Sequence, residues 1–439
     1  MSIRKGEEII GMLLIAFIIF WSFYVSLNDP DLLIEEPEER YTGIIRVWDY
    51  PRLDIDTGSR YSWIQARIKE FEKANPGVYI DFTPLDWESG PEKIENAIKD
   101  DESPDIVPIS YDFPWIDKLE VLNDYLKHDE LKEFKFETLK TVNYNEDIIG
   151  LPFAMTTYTM YLNLDLFNER GVSPPLDGNW TYEEFVQSLK DLTFDSDNDG
   201  VDDSFGFISF IEPNYYNIWG IILSDGAEIT NFKKNKYSFY GDEAIKGVQK
   251  VVDLKYKYKV TPKDFGILGE KECWDMFYKD KKIAVYPTGS WALKVLEDLQ
   301  NKGEGFNFDV ANYPLGDEKL PIALNNGVAS FGIFKQEDEK KLEMCIEFLK
   351  FLTQDSSQRT LEELGVFTVK KGINDMYKDN PKMKRIEETL SYTKVVPRDE
   401  KWNSIDIILQ EEIKKAVLKE KTAKEAIEEA KIRVENLTK

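Results

Sequence analysis

The clearest chemical pattern in this sequence is a set of aspartates in the acidic segment 195–203. With Asp195 counted as position 1, aspartate also occupies positions 3 and 5 and glycine occupies position 6, as in the first half of a calcium-binding loop. Alternate side chains of such a loop point inward, and the glycine permits the sharp turn between them. The spacing therefore predicts a structural Ca²⁺ site with these ligands: Asp195, Asp197, Asp199, the backbone carbonyl of Val201, and Asp203.

The end of this loop departs from the usual pattern, because position 12 is Gly206 instead of a bidentate Glu. The residues that follow read as a strand, so we expect a helix–loop–strand site and not a sensor that opens a pair of helices. Mg²⁺ suits the loop less well, since it prefers fewer protein ligands and more water. A solvated acidic turn without an ion is the alternative interpretation.

Composition narrows the classes of function. The chain has 439 residues and a net charge of −26, from 56 basic and 82 acidic residues, which argues against binding to nucleic acid or to anionic lipid. The single histidine, His128, has no neighbours in sequence that suggest nucleophilic catalysis, and no P-loop motif is present. Two cysteines, Cys273 and Cys345, are too few for a disulfide scaffold, and whether they pair stays open.

An apolar segment near the N-terminus predicts a membrane anchor. Residues 9–27 carry no charge, and as a helix they would span about 28 Å, close to the hydrocarbon thickness of a bilayer. Basic residues precede the segment and acidic residues follow it, so the N-terminus is expected to stay in the cytoplasm while the rest is exported. We expect a cytoplasmic stub at 1–8, a single-pass anchor at 9–27 and a solvated tether at 28–42, with a cleaved signal peptide as the alternative.

After the tether, strand and helix patterns alternate. The segments "GIIRVWDY", "VYIDFTPL" and "SPDIVPIS" read as strands, and amphipathic helices lie between them. This β-α-β-α-β order predicts a mostly parallel sheet covered by helices, which binds ligands at the carboxyl ends of its strands. Trp48, Tyr111 and Asp112 fall at or just after such ends. Further along, Thr181 and Glu184 have the spacing of a capping box that begins the helix before the acidic loop.

Several segments, in consistent order over residues 43–439, resemble the extracellular solute-binding proteins of ABC transporters, in the carbohydrate-binding branch related to maltose-binding proteins. The segments that carry the resemblance are "IIRVWDY", "SPDIVPISYD", "IIGLPFAMTTYTMYLNLDLFNERGV", "WTYEEFVQSLKDLT", "IAVYPTGSW", "NFDVANYPLG", "NNGVASFGIFK" and "EMCIEFLKFLTQDSSQRTLEELGVFTVKKG". The resemblance implies an α/β fold with two lobes joined by hinge crossovers, the periplasmic-binding-protein fold. Lobe 1 would comprise 43–154 plus 314–367, and lobe 2 would comprise 155–313 plus 368–439. Crossings are implied near 152–156, near 313–314 and near Phe367.

The same resemblance implies which residues bind the ligand. Three tryptophans match the sugar-stacking aromatic residues of the family, Tyr216 lies close to the first of them in sequence, and four polar residues match hydroxyl-binding positions. Thr156 stands where family members often place a carboxylate on the first hinge segment. Together with the residues at the strand ends, the predicted ligand site is Trp48, Asp49, Arg52, Tyr111, Asp112, Thr156, Glu212, Tyr216, Trp219, Trp291 and Trp402. Core packing is the alternative for each tryptophan, because large aromatic side chains are usually buried.

The function implied by the resemblance is binding without catalysis. A membrane-tethered, extracytoplasmic protein with a monomeric soluble part would capture a carbohydrate between its lobes and deliver it to ABC permease subunits. The many aromatic residues favour an oligosaccharide over a single sugar. Two alternatives stay open: a calcium-stabilised carbohydrate-cleaving enzyme, which would need two carboxylates about 5–10 Å apart, and a sugar-sensing module for a sensor kinase.

Overall fold

The computed structural model describes residues 3–28, 40–52, 58–231, 236–325, 327–396 and 401–437. The chain forms two compact units, Met1–Thr42 and Gly43–Lys439. The first unit contains helix α1 (Ile3–Asn28), whose described side chains, 13–25, are exposed and mostly apolar. Over the part of the chain that the structure describes, no helix is both long and apolar enough to cross a membrane. The anchor predicted at 9–27 is thus not confirmed, and most of the predicted tether, residues 29–39, lies outside the described residues.

The second unit alternates strands and helices. Its described strands are β1 (Gly43–Asp49), β2 (Val78–Pro84), β3 (Ile106–Ile109), β4 (Asn143–Tyr144), β5 (Asp147–Ile148), β6 (Leu151–Met155), β7 (Tyr158–Asn163), β8 (Phe205–Phe207), β9 (Thr230–Asn231), β10 (Lys236–Tyr237), β11 (Ile283–Gly289), β12 (Phe308–Ala311), β13 (Ala323–Asn325), β14 (Val328–Ile333) and β15 (Thr393–Val395). Its described α-helices are α2 (Ser62–Ala74), α3 (Gly90–Lys99), α4 (His128–Lys132), α5 (Phe136–Lys140), α6 (Leu164–Arg170), α7 (Tyr182–Asp191), α8 (Trp219–Ile222), α9 (Asp242–Tyr256), α10 (Glu270–Trp274), α11 (Ala292–Asn301), α12 (Glu339–Leu352), α13 (Asp355–Arg359), α14 (Pro381–Thr389), α15 (Trp402–Val417) and α16 (Ala423–Leu437).

The first lobe is built on a five-stranded sheet with the order β2-β1-β3-β14-β6. Its leading strands β1, β2 and β3 are parallel, as predicted, and β14 runs antiparallel to both of its neighbours. The apolar runs explain this placement, because Ile45 and Val47 of β1 and every residue of β3 are buried. Helix α2, the amphipathic helix expected between the first two strands, covers the sheet with an apolar stripe that includes Ile64, Ile68 and Phe71.

The second lobe is built on a four-stranded sheet with the order β12-β7-β11-β8. Strand β7 is antiparallel to both β11 and β12, while β11 and β8 are parallel. The helix before the acidic loop, α7, begins with the predicted capping box: the hydroxyl of Thr181 accepts from the Glu184 N–H at 3.2 Å, and Glu184 accepts from the Thr181 N–H at 2.8 Å. The two sheets confirm a two-lobed α/β architecture.

Three segments of the chain meet where the lobes join. The first passes from β6 to β7 through Thr156 and Thr157. The amide of Asn325, at the end of β13, donates a hydrogen bond to the Thr156 carbonyl. The hydroxyl of Thr157 lies 2.8 Å from that of Thr393 in β15, and β13 pairs with β15 in parallel. The three segments are therefore joined at the hinge by hydrogen bonds of backbone carbonyl and side-chain hydroxyl groups.

The second crossing falls later in the chain than the resemblance implied. The ring of Tyr313 packs against Gly220, where an added Cβ would come within 2.2 Å of the ring, and its hydroxyl donates to the Asn217 carbonyl at 2.6 Å. Residues 323–324 of β13 are also buried in the core of the second lobe. Pairing with the first sheet resumes only at Val328. Gly220 has no side chain, so the Tyr313 ring can pack directly against its backbone, and this contact holds the segment on the second lobe.

Candidate functional site

One wall of the candidate site is the carboxyl edge of the first sheet. Asp49, the last residue of β1, is fully buried, and its carboxylate accepts hydrogen bonds from Arg52 Nη1 at 2.6 Å and from the Tyr50 N–H at 2.8 Å. The Arg52 guanidinium also lies 4.8 Å from the centre of the Phe153 ring. Asp49 and Arg52 therefore satisfy each other, and they shape the loop after β1 as much as they could bind a ligand.

Beside this ion pair is an aromatic face that the sequence did not single out. The rings of Tyr50 and Trp87 stack at 4.3 Å with 5° between their planes, and Trp87 is 65% exposed. Asp86 fixes the loop by accepting hydrogen bonds from the N–H groups of Glu88 and Ser89. A tryptophan placed shortly after the end of β2 was the available signal, since ligands bind at such ends.

Charged groups surround this aromatic face. Burial, reinforced by the nearby carboxylates of Asp112, Asp86 and Asp49, raises the pKa of Tyr50 to about 12. Asp112 accepts a hydrogen bond from the Ser110 hydroxyl. Trp48 is half-buried, and Lys93 Nζ lies 5.0 Å from the centre of its ring. Of the residues predicted in this lobe, the structure brings Trp48, Asp49, Arg52 and Asp112 to one edge.

The wall of the second lobe meets the first through direct hydrogen bonding. The hydroxyl of Tyr111, which follows β3, donates to Oδ1 of Asn214 at 2.6 Å. The backbone N–H of Asn214 donates to Oδ2 of Asp406 in α15, also at 2.6 Å. Burial raises the pKa of Asp406 to about 6, against hydrogen bonds from Asn214, Gln410 and Tyr216 that lower it, and Asp112 adds to the increase. Neither Asn214 nor Asp406 was predicted.

Three predicted ligand residues of the second lobe have no exposed surface in the structure. Tyr216, Trp219 and Trp402 are completely buried. Trp402 donates its indole N–H to the Tyr216 hydroxyl at 3.0 Å, and Trp219 packs against Phe239 with the ring centres 5.1 Å apart. Both α8 and α15 begin inside the apolar core, which accounts for the burial, and a binding role for these residues stays a prediction.

Trp291 has the accessibility that a binding role requires. It follows the end of β11 and is 41% exposed. An added Cβ on Gly289 would lie 2.6 Å from the Trp291 ring and 3.8 Å from the Thr156 hydroxyl, so Trp291 stands beside the hinge. Trp274, another residue without a predicted binding role, lies 5.6 Å from Trp291, ring centre to ring centre. These two indoles form an aromatic face on the second lobe.

Carboxylates also flank this second aromatic face. The hydroxyl of Tyr215 donates to Oε2 of Glu270, the first residue of α10, at 2.8 Å. Glu212 is half-buried, and its Oε1 lies 3.0 Å from the position that a Cβ on Gly269 would take. The second lobe therefore repeats the chemistry of the first, with exposed aromatic rings next to hydrogen-bond acceptors.

Two cavities lined by described residues bear on the position of the site. One, of about 10 Å³, is lined by residues that include Asp49, Tyr50 and Arg52, and it has room for about one water. A groove of about 620 Å³ lies between α7 and α9 on the second lobe. It contains none of the predicted ligand residues. Because the aromatic faces and carboxylates lie at the carboxyl edge of the first sheet and beside the hinge, we place the candidate site between the lobes and not in the larger groove.

The acidic loop brings three of its predicted ligands together. Oxygen atoms of Asp195, Asp197 and Asp199 lie within 4.8 Å of one another. Asp195 accepts from the Gly200 N–H at 2.6 Å, which holds the pKa of this carboxyl below its usual range, and Gly200 adopts φ +92° as the turn requires. Three converging carboxylates are the donor set that Ca²⁺ prefers. The role of the Val201 carbonyl stays a prediction.

Asp203 lies outside this group of three carboxylates, and its role as a ligand stays a prediction. Its carboxylate accepts from the Ser196 N–H at 2.8 Å and from Lys282 Nζ at 2.9 Å, and these hydrogen bonds hold its pKa well below the usual range. Lys282 immediately precedes β11, so its ion pair with Asp203 links the end of the acidic loop to the second sheet. Its carboxylate forms an ion pair with Lys282, whereas the other three carboxylates lie next to one another.

Two lobes, a hinge of crossing strands and a cleft lined by aromatic rings and carboxylates define a solute-binding protein. The chain belongs to the family of bacterial extracellular solute-binding proteins, whose sequence model matches residues 66–385. It is 20% identical over 248 residues to a galactooligosaccharide-binding protein of Bacillus subtilis (strain 168), a match that covers 54% of this chain and 53% of that protein. A binding protein of Brucella abortus (strain 2308) is 29% identical over 168 residues, covering 37% of this chain and 39% of that protein. The matches thus span about half or less of these curated relatives.

Solved structures show the same fold over nearly the whole chain. The cyclic alpha-maltosyl-1,6-maltose binding protein of Arthrobacter globiformis superimposes with a TM-score of 0.75 at 16% identity, covering 90% of this chain and 98% of that one. An ABC substrate-binding protein of Listeria monocytogenes in complex with cycloalternan gives 0.71 at 17% identity, covering 91% and 100%. A cyclo/maltodextrin-binding protein complexed with maltotetraose gives 0.72 at 19% identity, covering 91% and 98%. At these identities the comparison establishes the fold.

Proposed function

We propose that this protein captures an oligosaccharide in the cleft between its lobes and delivers it to an ABC importer. The observation that carries the proposal is a pair of aromatic faces, each with one exposed ring: Trp87 stacked on Tyr50 on the first lobe, and Trp291 beside Trp274 on the second. A pyranose ring has an apolar C–H face that packs on an aromatic ring, and its hydroxyl groups need polar partners at the edge. Two such faces on opposite lobes suit a ligand of several sugar units.

The polar groups of the cleft agree with this ligand class. Asp112 on the first lobe and Glu212 and Glu270 on the second are acceptors for sugar hydroxyls. The relatives support the same class, since one is a galactooligosaccharide-binding protein and solved neighbours hold cycloalternan and maltotetraose. Binding without chemistry is the expected role, because relatives with this fold are binding proteins.

Delivery would depend on closure of the lobes. A ligand that contacts both walls has a higher affinity for the closed form, so it shifts the population toward that form. The closed form would then dock on permease subunits that are separate chains. Attachment through the uncharged segment 9–27 would keep the binding domain outside the cytoplasm and near that permease.

The test is a titration of the intact chain with a panel of oligosaccharides and their single sugar units. Tryptophan fluorescence and calorimetry would measure the binding. We expect saturable binding of at least one oligosaccharide, with weaker binding of its single sugar units. A lack of response to every sugar would overturn the proposal. Release of shorter sugars during incubation would instead favour the carbohydrate-cleaving enzyme.

A Ca²⁺ ion in the acidic loop is a second part of the proposal. The converging carboxylates of Asp195, Asp197 and Asp199 support it, and the ion would relieve their mutual repulsion. The loop joins α7 to β8, away from the aromatic faces of the cleft. The ion would therefore stabilise the second lobe without contacting the sugar.

A further inference from the structure

A chain of hydrogen bonds runs from the core of the second lobe to the first lobe. It begins at the indole N–H of Trp402, which donates to the Tyr216 hydroxyl at 3.0 Å. Tyr216 in turn hydrogen-bonds the Asp406 carboxylate, which also accepts from the Asn214 N–H at 2.6 Å. The side chain of Asn214 then accepts from the Tyr111 hydroxyl at 2.6 Å. This last bond crosses between the lobes, because Tyr111 follows β3 and the other residues belong to the second lobe. Tyr111 also hydrogen-bonds the Tyr216 side chain, a second contact across the same boundary.

The conformation of Asn214 explains why it needs support. Its backbone has φ +69°, in the left-handed region that side-chain-bearing residues other than Asn and Asp seldom adopt. The hydrogen bond to Asp406 fixes the N–H of this strained residue, and Gln410 holds the neighbouring turn by donating to the Tyr215 carbonyl at 2.9 Å. The Asn214 amide is thereby directed at Tyr111 by residues on one helix, α15.

We propose that Asp406 is the positioning residue of a latch that holds the two lobes together, with Tyr111 and Asn214 as its two halves. Asp406 itself remains in the second lobe and anchors the turn that carries Asn214. The inference rests on the proposed function only in taking the space between the lobes as the ligand site. It assigns to Tyr111 a role in closure, where the sequence had implied contact with the ligand.

The latch can be tested without any ligand by measuring the distance between the lobes. Spin labels at Tyr79→Cys on β2 and Leu176→Cys before α7 would report this distance by pulsed electron resonance, since both side chains are exposed. The two native cysteines, Cys273 and Cys345, have no exposed surface and would not compete for the label. The intact chain with these two label sites is the parent for every comparison.

Three variants break the chain at different points. Tyr111→Phe removes the donor, Asn214→Gly removes the acceptor while suiting φ +69°, and Asp406→Asn disturbs the anchor. We expect each to move the distance distribution to longer values. Tyr111→Phe combined with Asn214→Gly should move it no further than the larger single effect, because Tyr111→Phe already removes the hydrogen bond on which Asn214→Gly acts.

The matched control is Tyr215→Phe, which removes a hydroxyl in the same turn whose partner, Glu270, lies within the second lobe. Distributions that superimpose on the parent in all three variants would overturn the latch, as would additive effects of the first two or an equal shift in the control. If Asp406→Asn does not fold, the other two variants decide. A negative sugar panel with lengthened distances rejects the carbohydrate proposal alone, and a positive panel with unchanged distances rejects the latch alone.

Discussion

Tyr50 and Trp87 lie ring on ring, 4.3 Å apart and 5° from parallel, at the carboxyl edge of the first sheet. Tyr50 covers one face of the Trp87 indole, while 65% of the Trp87 side chain remains exposed. A stacked partner holds the outer ring in one orientation, which reduces the entropy lost when a ligand packs on it. The pair therefore forms a pre-oriented surface for the flat face of a sugar.

Replacing Trp87 with alanine should weaken oligosaccharide binding about tenfold, or ~1.4 kcal/mol, because a stacking surface is lost. The free energy of unfolding should change little, since the ring is mostly exposed. Calorimetry and urea unfolding measure the two quantities. Tyr79→Ala is the matched control, because Tyr79 is equally exposed on the same lobe. Equal binding by both variants and the parent would contradict the role of Trp87.

Substitution should cost much more stability at Trp402 than at Trp291. Trp402→Phe removes a buried indole N–H that bonds Tyr216, so we expect the free energy of unfolding to fall by about 1–3 kcal/mol. Trp291→Phe keeps an aromatic ring at an exposed position and should cost less than about 0.5 kcal/mol. Urea unfolding of both variants provides the comparison. Equal losses of stability would show that Trp291 is also a core residue.

Calcium should raise the unfolding temperature, and a chelator should reverse the increase. At a concentration 100 times the dissociation constant, one bound ion stabilises the folded chain by about 2.7 kcal/mol. Asp195→Asn and Asp199→Asn should abolish this response, because they remove converging carboxylates. Asp203→Asn should keep the response, since that carboxylate is bound to Lys282. A response lost only in Asp203→Asn would reverse the assignment of ligands.

The buried carboxyl of Asp406 should make stability depend on pH. Its pKa is raised to about 6, above the unfolded value, so the folded state is favoured at low pH and this contribution is lost as pH rises through 6. The upper limit between pH 4 and pH 7.5 is about 3 kcal/mol. Nearby groups that influence the titration are Asp112 and the hydroxyls of Tyr158 and Tyr216.

Urea unfolding at several pH values, in the parent and in Asp406→Asn, isolates this contribution from those of other carboxyl groups. As pH rises from 4 to 7.5, the parent should lose stability relative to the variant, because only the parent carries the Asp406 carboxyl. A difference that stays constant over this range would show that Asp406 ionises at an ordinary pKa.

Local patterns in the sequence were sufficient for features that depend on residues close together in the chain. The apolar stripe of α2, the capping box of Thr181 and Glu184, and the convergence of Asp195, Asp197 and Asp199 all match their predictions. Each involves contacts within a helical turn or a short loop, or an apolar stripe set by the period of one helix. Such spacing is fixed by backbone geometry before any other part of the chain is placed.

Contacts between distant residues decided the rest. Trp291 and Trp402 both stand at helix starts and look alike in sequence, yet only Trp402 is buried, because α15 packs against α9 and α16. Asp203 fits the ligand spacing, but Lys282, far along the chain, neutralises it. The hydrogen bond between Tyr111 and Asn214 joins two lobes and has no local signal. The sequence determined what each segment could form, and the tertiary structure determined which side chains remained free to bind, because burial depends on neighbours that only folding brings together.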